Sequence, residues 1–296
     1  MEFPVPDKQP PLHAVLHSAI RRFSAAGIAN AAGEARLLAG HYLAVGSAEV
    51  FLHLREPAPK GLASAIERRE RREPLQHIIG SAPFGPLDML VGPGVFIPRP
   101  ETEVLAQWAV DKLVGDITSE HPVVLDLCTG TGALAAYIAH EFSAARVIGV
   151  EYSSRAMRWA EKNLYNLQQH CGLNYELVDG DVLDPTLLAD IAGQVDLIVC
   201  NPPYVPRDDT LYAEVYADPD DAVFAGESGM DVINGLAVQC ARLLRPGGLV
   251  GIEHDDATSE QSLQVFKAEA DLCAVTPLAD LTGRKRFVTA AKRVKS

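Results

Sequence analysis

The chain has 296 residues, 48% of them apolar, and a formal net charge of −13. That composition supports a sizeable core, in one large domain or in a main domain with a smaller one. The acidic balance disfavours non-specific attraction to nucleic acid, no apolar run approaches the ~20 residues of a membrane span, and Met1-Glu2-Phe3-Pro4-Val5-Pro6 lacks the layout of a signal peptide, so a cytoplasmic protein is expected.

Charge divides the chain unevenly: residues 1–75 carry 10 Lys/Arg against 8 Asp/Glu, and the remainder carries 16 against 31. The shift marks a boundary, and residues 1–73 are expected to form an N-terminal helical domain. Leu12, Val15, Leu16, Ala19, Ile20 and Phe23 have helical spacing; further helices are expected over 35–45, after Ser47 and over 62–72, with no strand. The last of these carries Arg68, Arg69, Arg71 and Arg72. A salt-bridged face is the first expectation there, and a docking surface for an acidic partner the second.

Helical patterning stops at Pro74. His77-Ile78-Ile79-Gly80 and Leu87-Asp88-Met89-Leu90-Val91 flank the turn-rich Pro83-Phe84-Gly85-Pro86, which predicts a β-hairpin linker over 74–95. Pro100, Glu101 and Glu103 then suit the first turn of a helix.

From residue 123 apolar strands alternate with amphipathic helices: strands are expected over 123–127, 147–150, 175–178, 195–200 and 249–253. This alternation predicts an α/β fold, a doubly wound and mostly parallel Rossmann-like sheet over 96–296. Ligands of such sheets bind beyond the carboxyl ends of the strands.

Informative residues sit at those ends. The first strand closes in Asp126-Leu127-Cys128-Thr129-Gly130-Thr131-Gly132, where glycines let backbone approach a ligand at a helix start. Glu151 ends the next strand and can accept ribose hydroxyls. Asp179-Gly180-Asp181 follows the third. A dinucleotide would want three glycines and no acid near its pyrophosphate, whereas S-adenosylmethionine is cationic and phosphate-free, so an acid at Asp126 suits it and Asp181 can accept from an adenine amino group. After the fourth strand, Asn201-Pro202-Pro203-Tyr204 offers an amide oxygen, a main-chain carbonyl and a flat ring to a planar NH2 group. Cys128, Cys171, Cys200, Cys240 and Cys273 are odd in number and never Cys-x-x-Cys, which disfavours a disulfide framework and a zinc site. No metal is expected, and Cys200 has no His or Asp partner in the sequence to make it a nucleophile.

Taken with Phe96-Ile97-Pro98-Arg99-Pro100-Glu101-Thr102-Glu103, residues 222–231, Arg245-Pro246-Gly247-Gly248 and Gly283-Arg284-Lys285-Arg286, these motifs resemble the release-factor glutamine methyltransferases (PrmC/HemK) of the class I S-adenosylmethionine-dependent fold. The resemblance implies a seven-stranded sheet whose one antiparallel strand is 287–290. It also implies methyl transfer to the side-chain nitrogen (N5) of the glutamine in the Gly-Gly-Gln motif of peptide-chain release factors, with S-adenosylhomocysteine as product.

The family's cofactor site carries over onto Asp126, Cys128, Thr129, Gly130, Gly132, Glu151, Tyr152, Asp181, Val182 and Asn201. Its catalytic residues carry over onto Asn201, Pro202 and Tyr204, and its substrate pocket onto Asn201 to Tyr204 with Ile97, Pro98, Arg99 and Pro100. No membrane or direct nucleic-acid partner is implied, and a monomer is expected. Cys128 stands where the family usually has Gly, Glu151 where Asp is commoner, Asp218 of Asp218-Pro219 where Glu is frequent, and Asp255 where Gly is frequent. The alternative reading is an N6-adenine or N2-guanine nucleic-acid methyltransferase that grips a flipped base with the same tetrad.

Overall fold

The computed structural model describes residues 9–205, 219–226 and 228–294. The chain divides into two compact units, Met1–Gly80 and Ser81–Ser296.

In the first unit, α1 (Leu12–Ala25), α2 (Ala31–Leu43), α3 (Leu62–Glu70) and α4 (Leu75–Ile79) surround a small core. Leu12, Leu16, Ala19 and Phe23 form the buried stripe of α1, as their three- and four-residue spacing dictates. Asn30 caps α2, its side chain accepting from Gly33 N at 3.2 Å. The helix expected after Ser47 is only a 3-10 turn, Val50–His53, which leaves Phe51 and Leu52 exposed. Pro57 and Pro59 follow it closely, and a residue ahead of a proline is pushed out of helical backbone.

The arginine run braces the unit from within. Arg68 Nε donates to Glu73 Oε2 at 2.8 Å, Arg69 Nε to Glu34 Oε2 at 2.5 Å and Arg72 Nη1 to the Ala26 carbonyl at 2.8 Å. Arg69 is only 5% exposed. Arg69→Ala is therefore expected to destabilise the protein by about 3 kcal/mol, because it strands the Glu34 charge. A denaturant titration followed by helical circular dichroism measures this.

Two sequence expectations fail at the boundary. His77 to Gly80 do not form the first strand of a hairpin: residues 75–79 make α4, started behind Pro74 and ended by Gly80 at φ +89. The hairpin consists instead of β1 (Ser81–Phe84) and β2 (Leu87–Leu90), paired from Ser81↔Leu90 to Phe84↔Leu87, and it belongs to the second unit. The division falls at Gly80, not at residue 73, because α4 adds its apolar Leu75 and Ile78 to the first core.

The second unit continues through α5 (Thr102–Gly115), β3 (Val123–Leu127), α6 (Ala133–Glu141), β4 (Arg146–Glu151), α7 (Ser154–Cys171), β5 (Glu176–Asp179), β6 (Val195–Cys200), α8 (Asp220–Val223), α9 (Asp231–Leu243), β7 (Leu244–Glu253), α10 (Ser259–Ala268), β8 (Leu272–Ala279) and β9 (Lys285–Lys292). Its seven strands run in the order β5-β4-β3-β6-β7-β9-β8, and β9 alone runs opposite to the other six. β8 is an edge strand that the sequence reading did not anticipate.

Alternation sorts the strand residues onto two cores. Leu125, Ile148, Ile198 and Val250 pack on the side of α9 and α10, and Val124, Val147, Leu197 and Val199 on the side of α5 and α6. Each such fully buried side chain contributes roughly 1.5–3 kcal/mol. Asp196 interrupts this run without penalty, since its Oδ1 accepts from Arg245 Nε at 2.6 Å and its Oδ2 from Val123 N at 2.8 Å. Strand order reverses between β3 and β6, so the carboxyl ends of these two strands open the crevice in which a ligand can sit.

Candidate active site

That crevice is a cavity of about 210 Å3 whose walls come from the carboxyl ends of β3 to β6 and from the segment between the hairpin and α5. The glycine loop forms one wall. Thr129 N donates to Val150 O at 2.9 Å and Gly132 N to Thr129 O at 2.8 Å, which holds the loop against β4. Gly132 has φ +82, and a Cβ there would lie 2.4 Å from Tyr175 Oη. Gly132→Ala is expected to lower stability by about 2 kcal/mol, from backbone strain and the clash together, and to weaken cofactor binding. Thermal unfolding and calorimetric titration with S-adenosylmethionine read the two effects separately.

Cys128 lines the cavity at φ +61, so it sits in the left-handed region that glycine adopts freely. Asp126 is not where the sequence reading put it. It is fully buried behind the loop, with Oδ2 accepting from Thr129 Oγ1 at 2.5 Å and from Ala135 N at 3.1 Å, and it does not line the cavity. Loss of hydration pushes its carboxyl up to about 7. Asp126 thus organises the loop and the start of α6.

Glu151 lines the cavity from the end of β4. Its Oε2 accepts from Gly130 N and its Oε1 from Ser153 N, both at 2.8 Å. Tyr152, Asp181, Val182 and Leu183 extend this wall, with Asp181 Oδ1 accepting from Leu183 N at 2.9 Å.

The cavity contains two carboxylates, Glu151 and Asp181, and no Lys, Arg or His among the described residues. Such a wall repels a pyrophosphate and suits a cationic, phosphate-free nucleoside. The residues present therefore fit S-adenosylmethionine: Glu151 would hold its ribose, Asp181 its adenine and the glycine loop its amino-acid end.

Opposite stands the Asn201 to Tyr204 tetrad, every member of which lines the cavity. Asn201 Nδ2 donates to Thr102 Oγ1 at 3.3 Å, which leaves Oδ1 as the acceptor. Thr102 Oγ1 donates to Glu253 Oε2 at 2.7 Å, and Tyr204 Oη donates to Glu253 Oε1 at 2.8 Å. Burial pushes the Glu253 carboxyl up to about 7, against the pull of these two donors and of Arg286. Burial, reinforced by the Glu253 charge, also raises the Tyr204 phenol. Cys200 is fully buried and its thiol is pushed well up by desolvation, as suits a core residue and not a nucleophile.

The hairpin is joined to the glycine loop by Asn163 of α7. Its Oδ1 accepts from Leu90 N at 2.7 Å, and its Nδ2 donates to Leu90 O and Thr131 O, both at 3.0 Å. This carries Phe84 and Gly94 to the rim. Neither Asn163 nor Thr102 stands out in the sequence as a site residue. Glu253 does so only within Glu253-His254-Asp255-Asp256, which reads equally as lining the pocket or as capping the following helix.

Two family descriptions match the chain: a PrmC N-terminal domain over residues 14–80 and a methyltransferase domain over residues 124–218. The release factor glutamine methyltransferase of Corynebacterium glutamicum is 51% identical over 281 residues, covering 95% of this chain and 99% of that one. The chain belongs to the release factor glutamine methyltransferase family. A further relative is the 4-amino-L-phenylalanine/4-methylamino-L-phenylalanine methyltransferase of Streptomyces pristinaespiralis, 37% identical with 88% of each chain covered. Among solved structures, the hMettl16 catalytic domain in complex with a 3′UTR hairpin superposes with a TM-score of 0.51 at 16% identity, covering 79% of this chain and 81% of that one, which shows a shared fold.

Within the release factor glutamine methyltransferase motif of residues 96–103, the side chains divide. Phe96, Pro98 and Thr102 line the cavity, whereas Ile97, Arg99 and Pro100 do not. Ile97 is 1% exposed and packs with Ala82, Val91, Val95 and Ala156, and the Arg99 guanidinium lies 5.0 Å from the centre of the Phe96 ring. Asp218 and Glu227 of the family motifs lie outside the described residues.

Proposed function

We propose that this enzyme transfers a methyl group from S-adenosylmethionine to the side-chain amide nitrogen (N5) of the glutamine in the Gly-Gly-Gln motif of peptide-chain release factors. The observation that carries the reading is Asn201: its NH2 is held by Thr102, so its oxygen is the atom offered to a substrate N–H. The family membership supplies the substrate class.

When bound, S-adenosylmethionine supplies an electrophilic methyl on a sulfonium and leaves as S-adenosylhomocysteine. The Asn201 oxygen and the Pro202 main-chain carbonyl accept the two N–H groups of the glutamine amide and so stabilise the positive charge that develops on nitrogen. Both acceptors also fix the nitrogen in line for attack. Tyr204 packs on the amide plane, with Phe96 and Pro98 excluding water. The proton departs to water, because an N-alkylated amide cation is strongly acidic, and no dedicated base is required.

In this reading the enzyme works as a monomer in the cytoplasm, where release factors act. No helix among the described residues is long and apolar enough to cross a membrane. One relative is named a 4-amino-L-phenylalanine/4-methylamino-L-phenylalanine methyltransferase, so substrate choice needs a direct comparison. Methyl-labelled S-adenosylmethionine, offered with release factor, DNA, RNA or 4-amino-L-phenylalanine in parallel, is expected to label the release factor. Label confined to any of the other three contradicts the proposal.

A further inference from the structure

We propose that Glu253 and Thr102 are positioning residues that fix the amide of Asn201 with its oxygen toward the substrate. The inference rests on the methyl-transfer reading above and deepens it. An asparagine side chain fits its site equally well in either of two orientations, and only its hydrogen-bond partners choose between them. Here the choice is made two bonds away. Thr102, the first residue of α5 and 4% exposed, has a single hydroxyl hydrogen, and that hydrogen is spent on Glu253 Oε2 at 2.7 Å.

What Thr102 shows to Asn201 is therefore a lone pair, which only the Nδ2 group can meet, as it does at 3.3 Å. Flipping the amide would set two acceptors against each other at the same spacing. An ionised carboxylate is an acceptor only, so Glu253, 1% exposed at the end of β7, imposes this polarity on both hydroxyls it receives. Through its other oxygen it holds the Tyr204 hydroxyl at 2.8 Å. One buried carboxylate thereby sets two of the four tetrad members, from elements 99 and 151 residues apart along the chain for Asn201–Thr102 and Thr102–Glu253 respectively.

The test compares Thr102→Val with Thr102→Ser in the full chain. Thr102→Val keeps the shape and removes the hydroxyl. It is expected to lower kcat on release factor about tenfold or more, with the S-adenosylmethionine dissociation constant within about threefold of wild type. Thr102→Ser restores the hydroxyl and is expected to return kcat to within about threefold. Equal activity of the two variants would overturn the proposal, and so would a parallel loss of cofactor affinity in both, which marks a role in folding alone.

A second readout does not depend on turnover. In a selectively nitrogen-15-labelled protein, the Asn201 side-chain NH2 is expected to show slowed hydrogen exchange in wild type and Thr102→Ser and fast exchange in Thr102→Val. Fast exchange in wild type contradicts the assigned orientation. Slowed exchange in a wild type that methylates no release factor sustains the positioning role and rejects the proposed substrate.

Discussion

Asn201→Ala is expected to lower release-factor methylation by about a hundredfold or more while leaving the S-adenosylmethionine dissociation constant within a few-fold. An amide nitrogen is a weak nucleophile, because its lone pair is delocalised into the carbonyl. Its charge rises only as the methyl arrives, so an acceptor aimed at its N–H is worth most in the transition state. Removing one such pre-aimed group costs roughly 3–4 kcal/mol in comparable sites, or 10²–10³ in kcat. The cofactor wall is built from other elements, the glycine loop and the ends of β4 and β5, and survives the change. Single-turnover kinetics together with a cofactor titration check both halves. Normal turnover would remove Asn201 from the mechanism.

The second large effect is a conflict between stability and activity over pH. Burial pushes both Asp126 and Glu253 up to about 7, from ordinary values of 3.8 and 4.5. Between those limits the folded state holds protons that the unfolded chain has released, so stability is fully present at the acidic end and falls as pH rises through about 7. Moving from pH 8.5 to 5.5 should therefore stabilise the protein by about 2 kcal/mol per group. The buried His254, whose basicity burial lowers, works in the opposite sense below its ordinary value of 6.5 and offsets part of this gain.

Carboxylates held low by donors, such as Asp280 beside Thr282 and Glu73 beside Arg68, contribute stability that disappears only at more acidic pH, outside this window. Activity should run the other way. Glu253 must be ionised to accept from both Thr102 and Tyr204, so methylation rises with pH through about 7, with Arg286 favouring and Glu101 opposing the charge. Urea midpoints at the two pH values are expected to converge in Asp126→Asn by about half. An unchanged pH dependence in that variant would contradict the assignment.

Where sequence expectation and structure agree, the physical cause is local. β3 and β6 fall on their expected residues because short, mostly apolar runs bounded by polar turns leave few alternatives. The glycine loop, Glu151 and the tetrad are legible because strand ends are where an α/β sheet places its ligands. Residues 77–80 suggest a strand in sequence because so short a segment has no period of its own, whereas α4 is decided by Pro74 before it and Gly80 after it. β8 escaped because Pro277 argues against a strand, yet an edge position spares it the missing donor.

The remainder was illegible for a different reason. The motif suggests a cofactor contact at Asp126, but whether a carboxylate faces the cavity or the loop behind it depends on Thr129 and Ala135 partners that only the folded chain supplies. Thr102, Asn201 and Glu253 meet across three elements, a spacing that no local pattern encodes. Asn163 is an ordinary polar residue in α7 until the hairpin and the glycine loop come within its reach.

The most direct test of the central claim is a fragmentation mass spectrum of the Gly-Gly-Gln peptide from release factor incubated with the enzyme and S-adenosylmethionine. One added methyl group, carried on the glutamine side-chain nitrogen and absent without enzyme, is the predicted result. An unmodified glutamine, with the methyl found on nucleic acid, on a free aryl amine or on another residue of the factor, would contradict the account.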